Sequence, residues 1–486
     1  MEWIIIIGYS VALAGITFFS IEQLYLALVY RKVNSIKKFS PLDTFPSVTI
    51  QLPIYNEKYV VKRLIDCMCQ LDYPKDKLEI QVLDDSTDET SEIIAAKVLE
   101  WTNHGFEIQH IRRKDRVGYK AGALEYGLQS AKGEFIAIFD ADFLPKANFL
   151  NETLPAFDDH IGMVQTRWGH INKNFSLLTR LQAFGLNAHF TVEQTGKNAK
   201  DVFITFDGTA GIWRKSCIEE AGGWEHDTLT EDLDLSYRAQ LKGWKFLYLE
   251  QVVAPAELPV LISAVKSQQY RWNKGAAETA KKTAKRLIKS DQPFRVKLHG
   301  LMRLFNSSIY LFLVMASTLS IPLLFLKTLN PDISIVVDMT SVFFIGFLGM
   351  MFFYWISVKS VGEKASFSYY FSHFPLFLMF SMGMALHNAI AVMEGYLGKK
   401  SPFVRTPKFN VKTKSDHWEG NKYLTVKLSP VTILEGLLAF YFLFGAFSGI
   451  YLEDFALLFF HLMLAGGFGA VFFLSVKSLI YVPSRK

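Results

Sequence analysis

The chain has 486 residues, of which half are hydrophobic, 15% aromatic and 20% charged. This composition excludes a disordered chain, and 31 glycines are too few for a collagen. The net charge of +6 gives no indication of a nucleic-acid partner, and three cysteines are too few for a disulfide framework or a four-ligand zinc site. The mixture predicts a soluble domain joined to a membrane part.

The chain begins with an apolar segment that is long enough to cross a bilayer. Residues 3–30 contain a single charged residue, Glu22, and are followed by Arg31 and Lys32. About 20 apolar residues suffice to span the hydrocarbon core. A signal peptide is the rival interpretation, but it would begin with a positive region and have a shorter apolar run. We therefore predict a retained transmembrane helix over residues 1–32, with its basic end in the cytoplasm.

Between residues 47 and 249, short β-rich runs alternate with helical patterns, within a predicted soluble domain over residues 40–275. This alternation predicts a mostly parallel sheet with helices on both faces. The predicted strands are 48–52, 78–83, 106–111, 134–139, 162–167 and 245–249, and the predicted helices are 57–71, 89–101, 120–131 and 146–157. The chain has neither a glycine-rich dinucleotide motif after its first strand nor a Walker phosphate loop, which disfavours dinucleotide oxidoreductases and P-loop ATPases.

Two carboxylates follow the predicted fourth strand at an i, i+2 spacing. Asp140 and Asp142 could bind one divalent ion there, and their hard oxygen atoms suit Mg²⁺ or Mn²⁺. Such an ion would neutralise a diphosphate leaving group during sugar transfer from a nucleotide sugar. A pair of this kind is also common in turns and helix caps, so it does not decide the function alone.

Thr230-Glu231-Asp232 precedes the amphipathic segment 233–241. One interpretation is a helix start, with threonine as the cap and the acids in the first turn. The other is that a carboxylate removes a proton from an attacking sugar hydroxyl. Both remain open from these residues alone.

A helical stretch between the soluble domain and the membrane part carries Gln268, Arg271 and Trp272. The arginine could balance diphosphate charge, and the tryptophan offers a flat apolar face to a sugar ring. An Arg-Trp pair is also a common anchor at a membrane interface. The basic segment 276–300 that follows is predicted to be an interfacial helix against anionic headgroups, with a solvated charged helix as the alternative.

Residues 301–486 are predicted to form transmembrane and interfacial helices. The apolar stretches are 304–326, 335–358, 369–393, 431–452 and 455–475. The loop at about 399–428 should be cytoplasmic, because residues 399–427 hold eight basic residues against two acidic ones. If all three apolar stretches between the cytoplasmic soluble domain and this loop crossed the membrane, the loop would lie outside. We therefore predict that 369–393, which contains His373, Pro375, His387 and Asn388, lies in the interface rather than crossing.

The order of these motifs resembles that of the membrane-embedded family 2 glycosyltransferases, which include cellulose, hyaluronan, chitin and mannan synthases. Residues 53–57, 83–86 and 118–124 resemble their donor-binding segments, and Asp140-x-Asp142, Thr230-Glu-Asp232 and Gln268-x-x-Arg271-Trp272 follow in family order. Residues 206–214 and 221–224 are most similar to the plant cellulose-synthase-like A and C groups. The resemblance implies a GT-A-like α/β nucleotide-sugar-binding domain joined to an α-helical transmembrane domain.

The resemblance also implies a role for each matching residue. The implied donor-binding residues are Tyr55, Glu57, Asp84, Lys120, Asp140, Gln268 and Arg271. Asp142 would bind the metal, Asp232 would be the catalytic base, and Gly208, Thr209 and Trp272 would contact the acceptor. Phe403, Thr406 and Lys408 are similar to the gating loop of bacterial cellulose synthase, although Arg405 stands where that pattern has valine.

The resulting prediction is an inverting, metal-dependent hexosyltransferase that extends a β-linked polysaccharide at the cytoplasmic face of the cell (inner) membrane. UDP-glucose is the first donor expected and GDP-mannose the second. The alternative is a non-processive enzyme acting on ceramide, diacylglycerol or polyprenyl phosphate. The expected partners are a UDP-sugar or GDP-sugar, a glycan or lipid acceptor and the bilayer. Export or accessory proteins could join them, and no nucleic acid is expected.

Overall fold

The protein is described from a computed structural model. The residues that the structure describes are 2–33, 39–330, 340–362, 366–413, 415–416, 421–423 and 428–480. Part of the predicted 399–428 loop (414, 417–420 and 424–427) and residues 335–339 of a predicted membrane span lie outside this description.

A seven-stranded sheet forms the centre of the soluble domain. Its strands are β1 (Val48–Ile54), β2 (Leu78–Asp84), β3 (Glu107–Arg112), β4 (Phe135–Ile138), β5 (Ile161–His170), β6 (Gly211–Arg214) and β7 (Lys245–Ala256). They lie in the order β3-β2-β1-β4-β6-β5-β7. Strand β6 runs antiparallel to both neighbours, and the other pairs are parallel. The predicted mostly parallel sheet is confirmed.

Helices cover both faces of this sheet. They are α2 (Val61–Cys69), α3 (Thr90–Asn103), α4 (Tyr119–Leu128), α5 (Phe149–Thr153), α6 (Leu177–Ala188), α7 (Gln194–Ala199), α8 (Lys215–Glu220) and α9 (Glu231–Leu241). On one face Ile50 and Val82 pack with Leu64 of α2, and on the other Ile138 packs in a cluster with Leu124 of α4 and Leu235 of α9. Apolar side chains on both faces of the strands explain why the sheet is buried between two helical layers.

The sheet differs most from the prediction at β6 and β7. Strand β6 is not among the predicted strands; it has only four residues and is stabilised by antiparallel pairing with β4 and β5. Strand β7 continues to Ala256 instead of ending at Leu249. The register of β5 against β7 shifts between Thr166 and Arg167, so the polar residues Glu250 and Gln251 fall in an irregular stretch that hides the strand pattern.

The remaining helices belong to the membrane part and its junction with the soluble domain. They are α1 (Glu2–Tyr30), α10 (Ile262–Lys289), α11 (Phe294–Phe305), α12 (Ile309–Leu329), α13 (Phe344–Ser360), α14 (Ser366–Gly383), α15 (Ala385–Leu397), α16 (Pro430–Tyr451) and α17 (Leu458–Ile480). Among the described residues, four segments are long and apolar enough to cross a membrane: Glu2–Tyr30, Phe294–Leu329, Pro430–Tyr451 and Leu458–Leu479.

Two of the predicted membrane segments have a more complex form. Helices α14 and α15 pass the length and hydropathy test only as a pair, and they are bent by 49° at Met384. This bend is typical of a broken span or a re-entrant loop. Helix α13 is apolar but has only 17 described residues.

Helix α10 connects the soluble domain to the membrane helices. It runs without a break through residue 276, so the boundary predicted between residues 275 and 276 lies inside one helix. Near its start, Lys266 Nζ lies 2.6 Å from Glu435 Oε2 of α16 and 2.9 Å from Ser475 Oγ of α17. Near its other end, Lys282 pairs with carboxylates of the soluble domain.

Candidate active site

A cleft of about 180 Å³ lies where β1 and β4 end. Its wall contains residues from the soluble domain, from α10 and from the segment after α15. Parallel strands bring the residues that follow them to one edge of a sheet, which explains why motifs far apart in sequence meet here. Of the residues predicted for the site, the wall includes Tyr55, Glu57, Lys120, Asp140, Asp142, Gly208, Asp232, Gln268, Arg271, Trp272, Phe403, Thr406 and Lys408.

One end of the cleft contains an aromatic ring and a cluster of arginines. The Arg116 guanidinium carbon lies 3.2 Å from the centre of the Tyr55 ring, and Arg113 Nη2 lies 2.5 Å from Asp85 Oδ2. Asp85 lines the cleft. This end combines a stacking surface with charged hydrogen-bonding groups, and either could contact a nucleoside.

Asp84, the predicted nucleoside contact, is only 2% exposed and makes several bonds within the protein. It accepts hydrogen bonds from Ser86 N at 2.8 Å and Ser91 Oγ at 2.5 Å, and it lies 2.8 Å from His110 Nε2. Burial alone would raise its pKa, but these bonds keep the pKa of Asp84 below its ordinary value. Asp84 therefore stabilises the end of β2, while its neighbour Asp85 forms the cleft wall. Asp85 and Arg116 are not among the residues predicted for the site, although both lie within or beside predicted donor segments.

The middle of the cleft combines cations with the first carboxylate of the Asp140-x-Asp142 pair. Lys120, in the first turn of α4, donates to Asp140 Oδ1 at 2.5 Å and to the Gly208 carbonyl at 2.8 Å. Burial alone would lower the pKa of Lys120, but Asp140 and Glu231 raise it, so the amine is charged. Arg271 is held by a 2.9 Å hydrogen bond to Thr406 Oγ1. These cations are suited to a diphosphate.

The second carboxylate of the pair has an open coordination position. Asp142 is 1% exposed, and its Oδ2 accepts from Glu257 N at 3.1 Å and lies 2.9 Å from Lys408 Nζ. Its Oδ1 is buried and has no hydrogen-bond partner among the residues that the structure describes. A buried carboxylate oxygen without a partner is costly unless a cation binds it. Asp142 therefore fits the divalent ion that the sequence predicts, with Asp140 beside it.

Another group of carboxylates lies close enough together to bind a metal ion, but basic side chains contact it instead. Glu225, Asp227 and Asp234 lie close to one another. Lys282 Nζ lies 2.6, 2.7 and 3.1 Å from their oxygen atoms. Arg238 Nε also lies 2.8 Å from Asp234 Oδ2, so a lysine and an arginine together place positive charge on this group.

The segment after α15 folds over the cleft. The Arg405 guanidinium lies 2.7 Å from Glu57 Oε2, and the Phe403 ring stacks against Tyr119 and lies 4.6 Å from the Arg271 guanidinium carbon. Burial raises the pKa of Glu57 to about 7, although Arg405 opposes this shift. Arg405, which departs from the family pattern, thus has a defined partner in Glu57, a residue predicted for donor binding.

Glu257, which the sequence analysis did not identify, docks the same segment. Its carboxylate accepts hydrogen bonds from the backbone N–H groups of Phe409 and Asn410 at 2.7 and 2.9 Å and pairs with Arg63 at 3.1 Å. Glu257 is 5% exposed and stands in an otherwise apolar stretch at the end of β7. A lone acid in such a stretch is the signal that could have identified it.

Asp232 lies in the first turn of α9, as the capping interpretation predicts, and its Oδ1 accepts a hydrogen bond from Leu233 N at 2.8 Å. The threonine does not act as that interpretation predicts. Thr230 makes no side-chain hydrogen bond to the helix backbone, and its Oγ1 lies 3.1 Å from Thr279 Oγ1 instead. Burial is the larger cause that raises the pKa of Asp232 above its ordinary value, and repulsion from the Glu231 carboxylate is the second. A buried carboxylate with a raised pKa is suited to accept a proton.

Gly208 explains how the chain passes so close to Asp232. Its φ is +84°, and a Cβ atom there would lie 3.0 Å from Asp232 Oδ2. Glycine supplies both the left-handed backbone and the space. Its neighbour Thr209 bonds through Oγ1 to Asp140 N at 2.9 Å, so this predicted acceptor residue supports the Asp140 turn.

A second cavity, of about 1240 Å³, begins at the same place and extends between the membrane helices. Its wall runs from Asp232 and Trp272 past α1, α12, α13 and α14 to Lys327 and Asp454. The cleft and this cavity share a junction lined by Trp168, Leu186, Asp207, Thr230, Asp232 and Trp272. A molecule that fills the larger cavity would therefore meet the cleft at Asp232.

Comparison with protein families decides the class of this domain. Residues 46–275 match the family described as glycosyltransferase like family 2. The chain carries a family 2 glycosyltransferase domain. The predicted resemblance is confirmed, and the motifs of this glycosyltransferase domain converge on one cleft.

Curated relatives of this glycosyltransferase domain are plant proteins. The chain is 40% identical over 290 residues to glucomannan 4-beta-mannosyltransferase 2 of Arabidopsis thaliana, covering 55% of this chain and 54% of that protein. It is 44% identical over 252 residues to probable glucomannan 4-beta-mannosyltransferase 4 of Oryza sativa subsp. japonica, covering 51% and 46%. The chain thus spans about half the length of the curated relatives it matches.

A solved structure supports the fold. The mannosyltransferase PcManGT from Pyrobaculum calidifontis, solved with GDP-mannose and Mn²⁺, matches with a TM-score of 0.56 at 18% identity, covering 82% of this chain and all of that one. The predicted GT-A-like fold of the glycosyltransferase domain is confirmed.

Proposed function

We propose that the protein transfers mannose from GDP-mannose to the end of a growing β-linked polysaccharide and inverts the configuration at the anomeric carbon. The observation that carries this proposal is the junction at Asp232, where a cleft lined by Lys120, Arg271 and Asp142 opens into a cavity between membrane helices. A donor in the cleft and an acceptor in the cavity would meet at that carboxylate.

The choice of sugar rests on the relatives. UDP-glucose is the first donor expected from the sequence, with GDP-mannose second. The plant relatives at about 40% identity are named as mannosyltransferases that act on glucomannan, which reverses this order. The end of the cleft that contains Tyr55, Arg116 and Asp85 would bind the guanosine. Gln268 also lines the cleft, as do Lys120 and Arg271, the cations proposed to bind the diphosphate.

The proposed reaction uses Asp232 as the general base. Its carboxylate takes the proton from the attacking hydroxyl of the acceptor, and that oxygen forms a bond to the anomeric carbon of the donor. The bond between this carbon and the diphosphate oxygen breaks, and Lys120 and Arg271 bind the departing negative charge. Attack from the side of Asp232, opposite the diphosphate, produces the β-linkage from an α-linked donor.

A divalent ion at Asp142, with Asp140 beside it, would add further positive charge for the leaving diphosphate. Closure of the segment that carries Phe403, Thr406 and Lys408 excludes water from the cleft and adds a cation beside Asp142. We propose that this segment is a gating loop that opens for GDP-mannose to enter and for GDP to leave.

The larger cavity supports transfer to a polymer that leaves through the membrane part. Trp272 and Trp168 lie at its inner end, with ring centres 6.5 Å apart, and such flat apolar faces suit sugar rings. The loop over the cleft must lie on the same side of the membrane as the glycosyltransferase domain, and we propose that this side is the cytoplasm. The chain then crosses an even number of times between α10 and that loop.

The test is incubation of the purified full chain in lipid nanodiscs with radiolabelled GDP-mannose or UDP-glucose. We expect an insoluble or long product from GDP-mannose that endo-β-mannanase degrades and cellulase does not. A product made only from UDP-glucose would refute the donor assignment. A short product that extracts into organic solvent would indicate a lipid acceptor instead of a polysaccharide.

A further inference from the structure

A group of half-buried and buried charged residues lies beside Asp232 and takes no part in the reaction described so far. We call it the His189 cluster; it consists of His189, Glu193, Lys197, Asp207 and Arg303. His189 Nδ1 lies 2.9 Å from Glu193 Oε2, and His189 Nε2 lies 3.4 Å from Asp207 Oδ1. Lys197 Nζ lies 2.6 Å from Glu193 Oε1, and Arg303 Nη2 lies 3.9 Å from Asp207 Oδ1.

The backbone that holds this cluster is itself unusual. Residues His189–Glu193 form a π-helical turn between α6 and α7. Such turns are rare and occur often at functional sites, because they redirect side chains that a regular helix would place elsewhere. Here the turn places His189 on the wall of the larger cavity, where Asp207 and Arg303 also lie.

The charges of the cluster hold Asp207 in one position. Burial alone would lower the pKa of His189, but Glu193 and Asp207 raise it to about 9, so the imidazolium can donate from both nitrogens. Gln194 Nε2 donates to Asp207 Oδ2 at 2.7 Å, and Gln165 Oε1 accepts from Asp207 N at 3.0 Å. The side chain and backbone of Asp207 are therefore both fixed.

Asp207 is also placed where an acceptor must bind. It lines both the cleft and the larger cavity, as Asp232 does, and it precedes Gly208, which approaches Asp232 closely. An ionised carboxylate offers about four acceptor positions. The bonds to His189, Gln194 and Thr205, the last at 3.3 Å, leave room on Oδ2 for a further donor. A sugar hydroxyl is such a donor.

We propose that Asp207 binds a hydroxyl group of the acceptor sugar next to the hydroxyl that attacks, and that His189 is a positioning residue for Asp207. Asp232 would accept the proton of the attacking hydroxyl while Asp207 holds its neighbour, so the two carboxylates together orient the sugar ring. Trp272 and Trp168 would supply its apolar contacts. This inference rests on the proposed function and assigns a sugar, rather than a lipid headgroup, to the inner end of the larger cavity.

The experiment compares two acceptors with wild-type protein and the Asp207→Asn variant. One acceptor is a β-manno-oligosaccharide, and the other lacks the hydroxyl adjacent to the attacking position. We expect wild type to prefer the complete acceptor by about 10- to 100-fold in kcat/KM, as for a hydrogen bond to a charged group. The variant should lose most of this preference while binding GDP as tightly as wild type.

Asp201→Asn is the matched control, because Asp201 is a 77% exposed aspartate of the same domain. It should keep the full preference. If Asp207→Asn slows both acceptors by the same factor, the residue is merely structural and the inference is wrong. If that variant does not fold, His189→Gln provides the test. It should raise KM for the complete acceptor more than KM for the deoxy acceptor. An unchanged ratio of these two KM values would overturn the proposal.

The wild-type result separates this inference from the proposed function. Transfer of mannose to lipid but to no oligosaccharide would overturn the acceptor assignment and leave the donor assignment intact. Absence of transfer from either nucleotide sugar to any acceptor would overturn both.

Discussion

Lys408 Nζ lies 2.9 Å from Asp142 Oδ2, so a residue that follows the membrane helix α15 reaches the carboxylate that follows strand β4. Within the described part of the chain, the other oxygen of Asp142 has no hydrogen-bond partner. The loop and the proposed metal ion therefore share one carboxylate, with the lysine on one oxygen and the open position on the other. Closure of the loop and binding of the ion are compatible in this geometry.

Removal of divalent ions should abolish sugar transfer, and Mn²⁺ or Mg²⁺ should restore it. The direct test is Mn²⁺ binding to the full chain, measured by electron paramagnetic resonance. We expect Asp142→Asn to weaken Mn²⁺ binding by at least about tenfold, because the charge of the ligands sets the affinity of such sites. Asp227→Asn, in the carboxylate group that Lys282 and Arg238 contact, is the control and should leave Mn²⁺ binding unchanged. Full activity in EDTA would contradict the metal assignment.

Substitution of Asp232 by Asn should reduce transfer by about 10²- to 10⁴-fold, because the amide cannot accept the proton. GDP binding should persist, since the cations of the cleft remain in place. Glu231→Gln is the control and should lose less. An Asp232→Asn protein with near wild-type activity would show that Asp232 is not the base.

The pH dependence of kcat/KM should report the raised pKa of Asp232. Activity should rise with pH as this carboxyl group loses its proton, and the midpoint should lie well above that of an ordinary aspartate. Because the Glu231 carboxylate contributes to the raised pKa of Asp232, Glu231→Gln should move the midpoint to lower pH. Glu219→Gln, a substitution of an exposed glutamate, should leave it unchanged. If the midpoint is unaltered in Glu231→Gln, the rise of kcat/KM with pH reports the titration of a group other than Asp232.

The Arg405–Glu57 pair should hold the loop closed. Arg405→Met should increase the rate of tryptic cleavage within residues 399–428 and raise KM for the donor, because the loop loses a buried ion pair. Glu57→Gln should act in the same direction. The double variant should be little worse than either single one, since both remove the same contact. Effects that simply multiply would show that the two residues act separately.

The loop should be accessible only from the side of the glycosyltransferase domain. A cysteine at Ser415, in a background without the three native cysteines, should react in intact cells only with membrane-permeant reagents. A cysteine at Glu453, between α16 and α17, should react with impermeant reagents as well. Labelling of Ser415→Cys from outside would contradict the proposed cytoplasmic side, both for the loop and for the glycosyltransferase domain that it contacts.

The sequence predicted the sheet well, because strands depend on local patterns. Six strands and the residues after β1, β2 and β4 follow from apolar runs that end in polar groups. Strand β6 was missed because four residues carry too little pattern, and its place depends on pairing with β4 and β5. Helix α2 begins at Val61 rather than Glu57, since Asn56 has a φ of +54° and Glu57 binds a residue 348 positions later.

Long-range pairings explain what the sequence could not predict in the site. Asp85 and Asp84 are neighbours in one motif, and only their partners Arg113 and His110 determine which of them faces the cleft. The docking role of Glu257 depends on Phe409 and Asn410, and the role of Arg405 depends on Glu57. In none of these pairs do both residues belong to a sequence motif that would identify them as partners.

Helix α10 has one end among the membrane helices and the other in the aqueous domain. Lys266 is fixed by Glu435 and Ser475, and only five residues later Arg271 reaches the cleft. A tilt or shift of α16 and α17 should therefore move the arginine that is proposed to bind the diphosphate. We expect the affinity for nucleotide to depend on the lipids around these helices, so bilayer thickness and detergent should be controlled in binding experiments as carefully as salt and pH.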